Sequence, residues 1–248
     1  MRDREMNETS PHPVIPASPT PVILAIESSA DKASAAVIAA DGVAVQHQHS
    51  ARHGHAAQIT ELARAALAEA GITADDLTHV AAGRGPGSFT GIRVALAAAK
   101  GFVIATGASG VGLSCLAAMA YAASDRQGDA QKMVLATADT RRGSFFAQLF
   151  NRNGTPLDEI AEIDPETPGP CPALWQAADV TGAGAAAMVT SFPDAGLKPV
   201  ADMDVLDAMQ VARLAAARLT AGEAMDPLLP LYVAPAFLGP SRPLPVTS

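Results

Sequence analysis

The sequence has few basic residues, few aromatic residues and only two cysteines. Lysine and arginine number 17 against 25 aspartate and glutamate residues, which gives a formal net charge of −8. Proteins that bind nucleic acid by neutralising its phosphates usually carry a clustered basic face, so this balance argues against direct nucleic-acid binding. Cys115 and Cys171 form no CxxC pair and cannot build a disulfide framework. This usage is typical of a reducing compartment, and we predict a cytoplasmic protein.

The sequence also lacks a long apolar run and a signal peptide. The longest apolar candidate, residues 94–108, contains Lys100 and is shorter than the roughly 20 residues that a membrane span needs. We therefore predict no membrane partner. Residues 1–21 hold three acidic residues and five prolines without an apolar centre, and we expect a disordered extension outside the fold.

Hydrophobic residues make up 49% of the chain, enough for a large core. Apolar runs and turn signals predict a three-strand meander, a helix, a strand and a second helix, over residues 22–26, 33–40, 43–47, 56–70, 77–82 and 91–106. A similar, shorter series follows, with strands over 132–138, 143–151 and 180–182 and a helix over 205–221. We predict an N-terminal lobe at 22–120 and a C-terminal lobe and tail at 121–240, with the boundary in 121–131 and a surface loop at 164–172.

The most distinctive local feature is the Gly-Pro-Gly-Ser-Phe-Thr-Gly-Ile-Arg sequence at 85–93. Its glycines allow close backbone approach, and a hydroxyl can cap the helix that follows. A helix N-terminus attracts anions, but no Gly-Lys-Ser/Thr closes the loop, so it is not a Walker loop. A capped strand-to-helix turn would give the same pattern. The candidate loop residues are Gly85, Pro86, Gly87, Ser88 and Thr90.

Three further turns could line a nucleotide cleft. A carboxylate beside hydroxyls at a strand end can hold hydrated Mg²⁺, and a Gly-x-Gly turn can carry an adenosine, although plain helix-entry turns look the same. Two arginines in the second turn could bind an anion or a partner's carboxylate, or could block the cleft. The candidate residues of this degenerate nucleotide cleft are Glu27, Ser28, Ser29, Asp139, Arg141, Arg142, Gly182 and Gly184.

The sequence lacks the residues that a metal site or a serine hydrolase would need. Four histidines, His47, His49, His53 and His55, lie within nine residues, but no HExxH pattern or neighbouring cysteine or carboxylate completes a site. No Gly-x-Ser-x-Gly is present either. We predict no metal ligands and no catalytic residues.

The helix over 91–106 is apolar nearly all round, with Arg93 and Lys100 its only charged residues. A second apolar face needs a cover beyond the chain's own sheet, and small residues on the preceding helix allow close approach. We predict that the two helices pair with those of a second chain over about 1,600 Å², unless intramolecular packing covers them. The predicted interface residues are Ala57, Ala65, Ala68, Gly91, Ala95, Ala98 and Phe102.

Together these motifs resemble the TsaB (YeaZ) family. The likeness rests on Ile-Leu-Ala-Ile-Glu-Ser-Ser at 23–29, the loop at 85–93, Asp-Thr-Arg-Arg-Gly at 139–143 and Pro-Leu-Tyr at 230–232, in that order. The family usually has Asp at the position of Glu27. The resemblance implies an α/β fold of two RNase H-like lobes, in the actin/Hsp70/sugar-kinase (ASKHA) superfamily.

The resemblance also implies a non-catalytic scaffold and activating subunit that pairs with the catalytic subunit TsaD. That complex forms threonylcarbamoyladenosine at the adenosine 3′ of the anticodon in tRNAs reading ANN codons, with the ATPase TsaE as a further partner. The resemblance implies that the chain forms a homodimer when it is alone and that it contacts tRNA only indirectly. It also implies that the chain binds no cofactor firmly and that ATP or ADP binds only in the complex. The two metal-binding histidines of TsaD fall on Cys115 and Met119, which form a poor metal site. Two alternatives are a stand-alone small-molecule kinase or ATPase of this fold and a regulator that acts through homodimers.

Overall fold

The computed structural model describes residues 20–30, 32–50, 55–127 and 132–233, which form two five-stranded sheets of equivalent topology. In the first sheet, β1 (Ile23–Glu27), β2 (Ala33–Ile38) and β3 (Ala44–His49) form an antiparallel meander. Two parallel strands, β4 (His79–Gly83) and β5 (Ser109–Leu113), extend it beyond β1, in the order β3-β2-β1-β4-β5.

The second sheet repeats this arrangement. Its meander consists of β6 (Val134–Asp139), β7 (Phe145–Phe150) and β8 (Ala161–Ile163). Its parallel strands are β9 (Asp179–Gly182) and β10 (Lys198–Pro199), in the order β10-β9-β6-β7-β8. A meander followed by parallel strands on the far side of its first strand is the RNase H-like arrangement, so the predicted fold class is confirmed.

Five α-helices accompany the sheets in the described part of the chain: α1 (His55–Glu69), α2 (Phe89–Thr106), α3 (Cys115–Gln127), α4 (Ala185–Ser191) and α5 (Ala208–Thr220). Helices α3 and α5 pack against each other, α5 also against β1 and β2, and α3 also against β6. One apolar core therefore joins both lobes. Helices α1 and α2 cover the outer side of the first sheet, and α4 covers that of the second.

Several elements differ from the sequence prediction. The predicted boundary at 121–131 is helical as far as Gln127, because α3 is an alanine-rich helix buried between the lobes. Helix α5 begins at Ala208, three residues later than predicted, because Asp207 caps it by accepting from the Gln210 N–H. The short elements β5, β8, β10 and α4 were not predicted. The loop at 164–172 is confirmed, and the extension at 1–21 falls almost wholly outside the described residues.

The second lobe closes around a single tryptophan. Trp175 is fully buried, meets Phe192 edge to face at 5.9 Å and donates its indole N–H to the Asp158 carboxylate at 2.6 Å. The other Asp158 oxygen accepts from the Leu149 N–H on β7. One carboxylate thus connects the strand to the loop that covers it.

Helix α2 has the opposite character. Within the described chain it is the one helix long and apolar enough to cross a membrane by length and composition, a test that core helices of soluble proteins also pass. Only 28% of its residues are buried. The absence of a membrane partner stays a prediction, and the exposed surface of α2 needs an explanation.

Candidate functional site: an interlobe cleft and an adjoining helix face

The predicted nucleotide turns meet at one cleft between the lobes. In this fold the first strand of each meander ends at the cleft, which places Glu27, the last residue of β1, and Asp139, the last residue of β6, on facing sides. The cavity measures about 90 Å³, well below the roughly 300–1,000 Å³ of small-molecule sites. Its lining consists of Ser29, Ala30, Pro86, Gly87, Cys115, Met119, Thr137, Ala138, Asp139, Arg141, Ala183, Asp204, Val205 and Leu206.

Glu27 lies beneath the cleft floor and is fully buried. One carboxylate oxygen accepts a hydrogen bond from the Ser29 N–H, and the other faces Gly83 so closely that a Cβ there would overlap it. Burial raises the pKa of Glu27 above its ordinary value, with the Asp207 charge adding to the effect. The carboxyl is therefore a packed structural group without access to a ligand.

Cys115 connects three segments around Glu27. Its buried sulfur accepts from the Gly85 N–H at 3.2 Å and contacts the Ser29 hydroxyl at 3.4 Å and the Glu27 carboxyl at 3.9 Å. Burial, with the nearby Glu27 charge, raises the pKa of the Cys115 thiol well above its ordinary value. A protonated thiol is a poor nucleophile, so this cysteine fits a structural role.

The glycine loop at 85–91 is tied to the first turn. The Ser88 N–H donates to the Ser29 carbonyl at 2.7 Å, and the Ser28 hydroxyl donates to the Gly91 carbonyl at 2.7 Å. Ser88 also caps α2, since its hydroxyl accepts from the Gly91 N–H. Of the loop residues, Pro86 and Gly87 line the cleft, and Thr90 is exposed beside it. The capped-turn interpretation therefore accounts for these contacts.

The turn that follows β6 also has its polar groups paired within the chain. Asp139 accepts from the Arg141 N–H at 2.7 Å, and one guanidinium nitrogen of Arg142, Nη2, donates to both carboxylate oxygens of Glu162 at 3.0 and 3.1 Å. Arg141 lines the cleft from a left-handed backbone conformation with φ 63°. Of the two predicted anion-binding arginines, only Arg141 reaches the cleft.

The Gly-x-Gly turn contributes to the cleft only through Ala183, between its two glycines. Gly182 has φ +93° and lies so close to the Thr137 carbonyl that a Cβ would overlap it. A Cβ on Gly184 would press on the Phe145 ring at 2.7 Å. Gly182 and Gly184 are not among the lining residues of this cavity, and close packing within the lobe explains both glycines. The lining residues Asp204–Leu206 were missed, since Val205 and Leu206 lie in the predicted helix at 205–221 and Asp204 directly precedes it.

The predicted partner interface is partly wrong. Gly91 and Ala95 are buried inside the chain, where Gly91 abuts the Ser28 carbonyl and Ala95 is part of the first lobe's core. Three predicted residues, Ala65, Ala98 and Phe102, are half-buried, Ala68 is exposed, and the side chain of Ala57 is outside the described residues. The exposed residues of α2 are instead Phe89, Thr90, Arg93, Ala97, Lys100, Gly101, Ile104 and Ala105.

The histidine segment forms no metal site in the described part of the chain, where no group of three His, Cys, Asp or Glu residues could hold an ion. His47 lies on β3 and pairs with Glu69 on α1 at 2.8 Å. His53 falls outside the described residues. The observed pair fits a solvent-exposed strand edge.

Comparisons with known proteins agree on one group of relatives. A family model described as "TsaD: tRNA N6-adenosine threonylcarbamoyltransferase" matches residues 41–167. The "tRNA threonylcarbamoyladenosine biosynthesis protein TsaB" of Escherichia coli is 31% identical over 131 residues, 53% of this chain and 55% of that protein. Its counterpart in Buchnera aphidicola is 30% identical over 136 residues, 55% of this chain and 63% of that protein. The match thus spans little more than half of each curated relative.

Solved structures extend the likeness to most of the chain. The structure entitled "YeaZ from Pseudomonas aeruginosa" superposes with a TM-score of 0.71 at 25% identity, over 86% of this chain and all of that one. A second Pseudomonas aeruginosa structure, described as an uncharacterized protein with similarity to peptidase YEAZ, gives a TM-score of 0.72 at 27% identity. The predicted resemblance to TsaB (YeaZ) is confirmed.

Proposed function

The chain belongs to the TsaD family, and from its TsaB-like sequence and fold we propose that it is a non-catalytic subunit of the complex that makes threonylcarbamoyladenosine in tRNA. It pairs with the catalytic subunit TsaD and activates it. The TsaB relatives are named as biosynthesis proteins of this modification, and the TsaD profile over 41–167 marks the intended partner as a paralogue. Paralogues with one fold can pair through equivalent helices.

The observation that carries the proposal is the exposed face of α2. Ile104 is 85% exposed, and Gly101 lies mid-helix, where no neighbouring residue that the structure describes comes within 4 Å of the position that a Cβ would occupy. A mid-helix glycine costs about 1 kcal/mol relative to alanine. No contact among the described residues requires that glycine or covers that isoleucine. A helix of a second protein, approaching closely at Gly101, would account for both.

The cleft supports the non-catalytic part of the proposal. Its two strand-end carboxylates are engaged, Glu27 in the interior and Asp139 with the Arg141 backbone, and its thiol is held protonated. Its cavity of about 90 Å³ is small for a nucleotide, which fits a chain that binds no cofactor firmly and meets ATP or ADP only in the complex. The kinase alternative would need an open second phosphate turn, where Arg141 stands instead.

The net charge of the chain and the exposed face of α2 also bear on its contacts with tRNA, with TsaE and with a second copy of itself. The net charge of −8 fits a subunit that meets tRNA only through TsaD. A homodimer would use the same α2 face when TsaD is absent, and TsaE would join the assembled pair. We expect the complex to work in the cytoplasm.

Reconstituted tRNA modification tests the proposal. We expect threonylcarbamoyladenosine formation by TsaD, TsaE and the required substrates to rise strongly when this chain is added, and the rise to be lost with Ile104→Glu or Gly101→Leu. The matched control is Leu174→Glu, since Leu174 is a 55% exposed apolar residue on the other lobe. Full modification without the chain, or ATP-dependent phosphorylation of a small substrate by the chain alone, would contradict the proposal.

A further inference from the structure

Two exposed aromatic rings flank an arginine where α2 begins. Phe89 is 47% and Tyr232 59% exposed, with ring centroids 6.3 Å apart, in a sequence with only seven phenylalanines, two tyrosines and one tryptophan. The Arg93 guanidinium lies 3.8 Å from the Phe89 ring centroid and donates to the Tyr232 hydroxyl at 3.3 Å. We call Phe89, Arg93 and Tyr232 the aromatic–arginine cluster.

The backbone beneath the cluster is fixed despite its exposure. After α5 the chain returns to the first lobe, where the Leu231 N–H donates to the Arg84 carbonyl at 2.8 Å. The Arg84 side chain donates to the Leu229 carbonyl at 2.7 Å and pairs with Asp226 at 2.5 Å. Tyr232 therefore stands on a segment anchored beside the glycine loop. A cluster held in place before binding loses little conformational entropy when a partner arrives.

Arg84 and Arg93 differ in whether an acidic side chain neutralises their charge. Asp226 balances Arg84, whereas no ion pair to Arg93 occurs among residues 20–233 as far as the structure describes them. A guanidinium stacked on a ring keeps its edge N–H groups available for a two-pronged bond to a carboxylate. A polyphosphate, with several negative charges, would meet stronger repulsion from a chain of net charge −8 than one carboxylate would. The chemistry favours a single carboxylate.

We propose that the aromatic–arginine cluster receives an Asp or Glu side chain of the protein that covers α2, and so fixes the position of that partner along the helix. The inference rests on the proposed function, in which that protein is TsaD. Arg93 shares one stripe of α2 with Ala97, Gly101 and Ile104, at spacings of four, four and three residues. The small and apolar residues permit close contact, and the cluster at the end of the stripe selects the register by charge.

Titration calorimetry of the chain with purified TsaD from the same organism tests this inference. Arg93→Gln removes the guanidinium and its charge but keeps an uncharged polar side chain, and we expect affinity to fall at least tenfold, with a weaker dependence on NaCl concentration than in the wild type. Tyr232→Phe removes only the hydroxyl that orients Arg93, and we expect a loss of a few fold. The matched control is Arg213→Gln, an exposed arginine on α5, which should bind TsaD as the wild type does.

The outcomes separate the two levels of the argument. A wild type that fails to bind TsaD would overturn the proposed function together with this inference. Wild-type binding that Arg93→Gln leaves unchanged, while Gly101→Leu abolishes it, would overturn the inference alone. An Arg93→Gln effect confined to tRNA binding, or to homodimer mass by light scattering, would also overturn it. Equal unfolding temperatures for Arg93→Gln and wild type would show that the binding change is not a folding defect.

Discussion

The two lobes share one strand topology and differ at equivalent positions. β1 and β6 each end in a carboxylate that accepts from the backbone N–H two residues later, Ser29 for Glu27 and Arg141 for Asp139. Glu27 is fully buried beneath Gly83, whereas the Asp139 side chain is 35% exposed at the cleft. The longer glutamate reaches down into the first lobe's interior. The carboxylate at the end of the first strand is therefore part of the interior in the first lobe, and it lines the cleft in the second.

The connections after the equivalent strands β4 and β9 differ as well. The first leads into the 18-residue α2, and the second into the 7-residue α4. Between β8 and β9, where every residue is described, the second lobe has no counterpart of α1, and a loop with one turn of 3-10 helix at Ala173–Trp175 takes its place. The second lobe thus packs its apolar residues around the buried Trp175, whereas the first lobe has a long helix, α2, with an exposed apolar side. Folding and partner binding are expected to rest on different lobes.

The largest expected effect separates these two roles. Trp175→Ala removes the buried centre of the second lobe and the donor to Asp158, and should lower the free energy of unfolding by about 3–5 kcal/mol. Ile104→Ala, at an 85% exposed site, should change it by less than about 0.5 kcal/mol and yet weaken TsaD binding. Urea unfolding and binding titration of both variants measure the contrast. Equal stability losses would break the comparison.

Glycine substitutions give the next largest effect. An alanine Cβ at Gly91 would overlap the Ser28 carbonyl, and at Gly182 it would overlap the Thr137 carbonyl in a backbone with φ +93°. Each should cost about 1–3 kcal/mol or more, with Gly182→Ala the worse because the backbone is also strained. Thermal unfolding provides the measurement.

Gly101→Ala is the matched control for both. In the described parts of the chain no neighbouring residue lies within 4 Å of its Cβ position, so alanine should stabilise α2 by up to about 1 kcal/mol. A loss of stability there would mean that Gly101 serves the fold and not a partner, and would remove the main support for the interface.

The buried Glu27 predicts a smaller, pH-dependent effect. Because burial raises the pKa of Glu27 in the folded state, its contribution to stability is complete below the ordinary value of 4.5 and is lost as pH rises toward the folded pKa. Glu27→Gln cannot ionise, so its stability relative to the wild type should increase across this range. The increase is at most about 1.4 kcal/mol per pH unit.

Urea titrations between pH 4 and 8 measure this difference, with the exposed Glu61→Gln as the control for net charge. A Glu27→Gln curve parallel to that of the wild type would show that the buried carboxyl does not couple folding to protonation. The first lobe would then differ from the second in packing alone.

How much of this was predictable differs between fold and site. Continuous apolar runs predicted β1 and β6, and the glycine loop predicted the entry to α2, because buried strands and capped turns leave local signals. The short β10 and α4 left none, since pairing with neighbours far along the chain decides them. The sequence also could not show that Gly91 and Ala95 are buried while Gly101 is exposed, because all three are small residues on one apolar helix. Only the position of the Ser28 carbonyl shows which side of the helix faces inward.

The smallest expected effect concerns Arg141, the cleft residue equivalent to Ser29. Arg141→Gly relieves a left-handed backbone that costs a non-glycine residue about 1–2 kcal/mol, but it loses the contacts of the side chain, including Asp139 at 3.6 Å, and adds entropy to the unfolded chain. We expect these terms to cancel within about 1 kcal/mol. The cleft should still bind no ADP in a calorimetric titration, because Asp139 and Asp204 remain in its lining and repel phosphate. Tight ADP binding by Arg141→Gly would show instead that one side chain keeps a functional nucleotide site closed, and the two lobes would then differ less than their equivalent turns suggest.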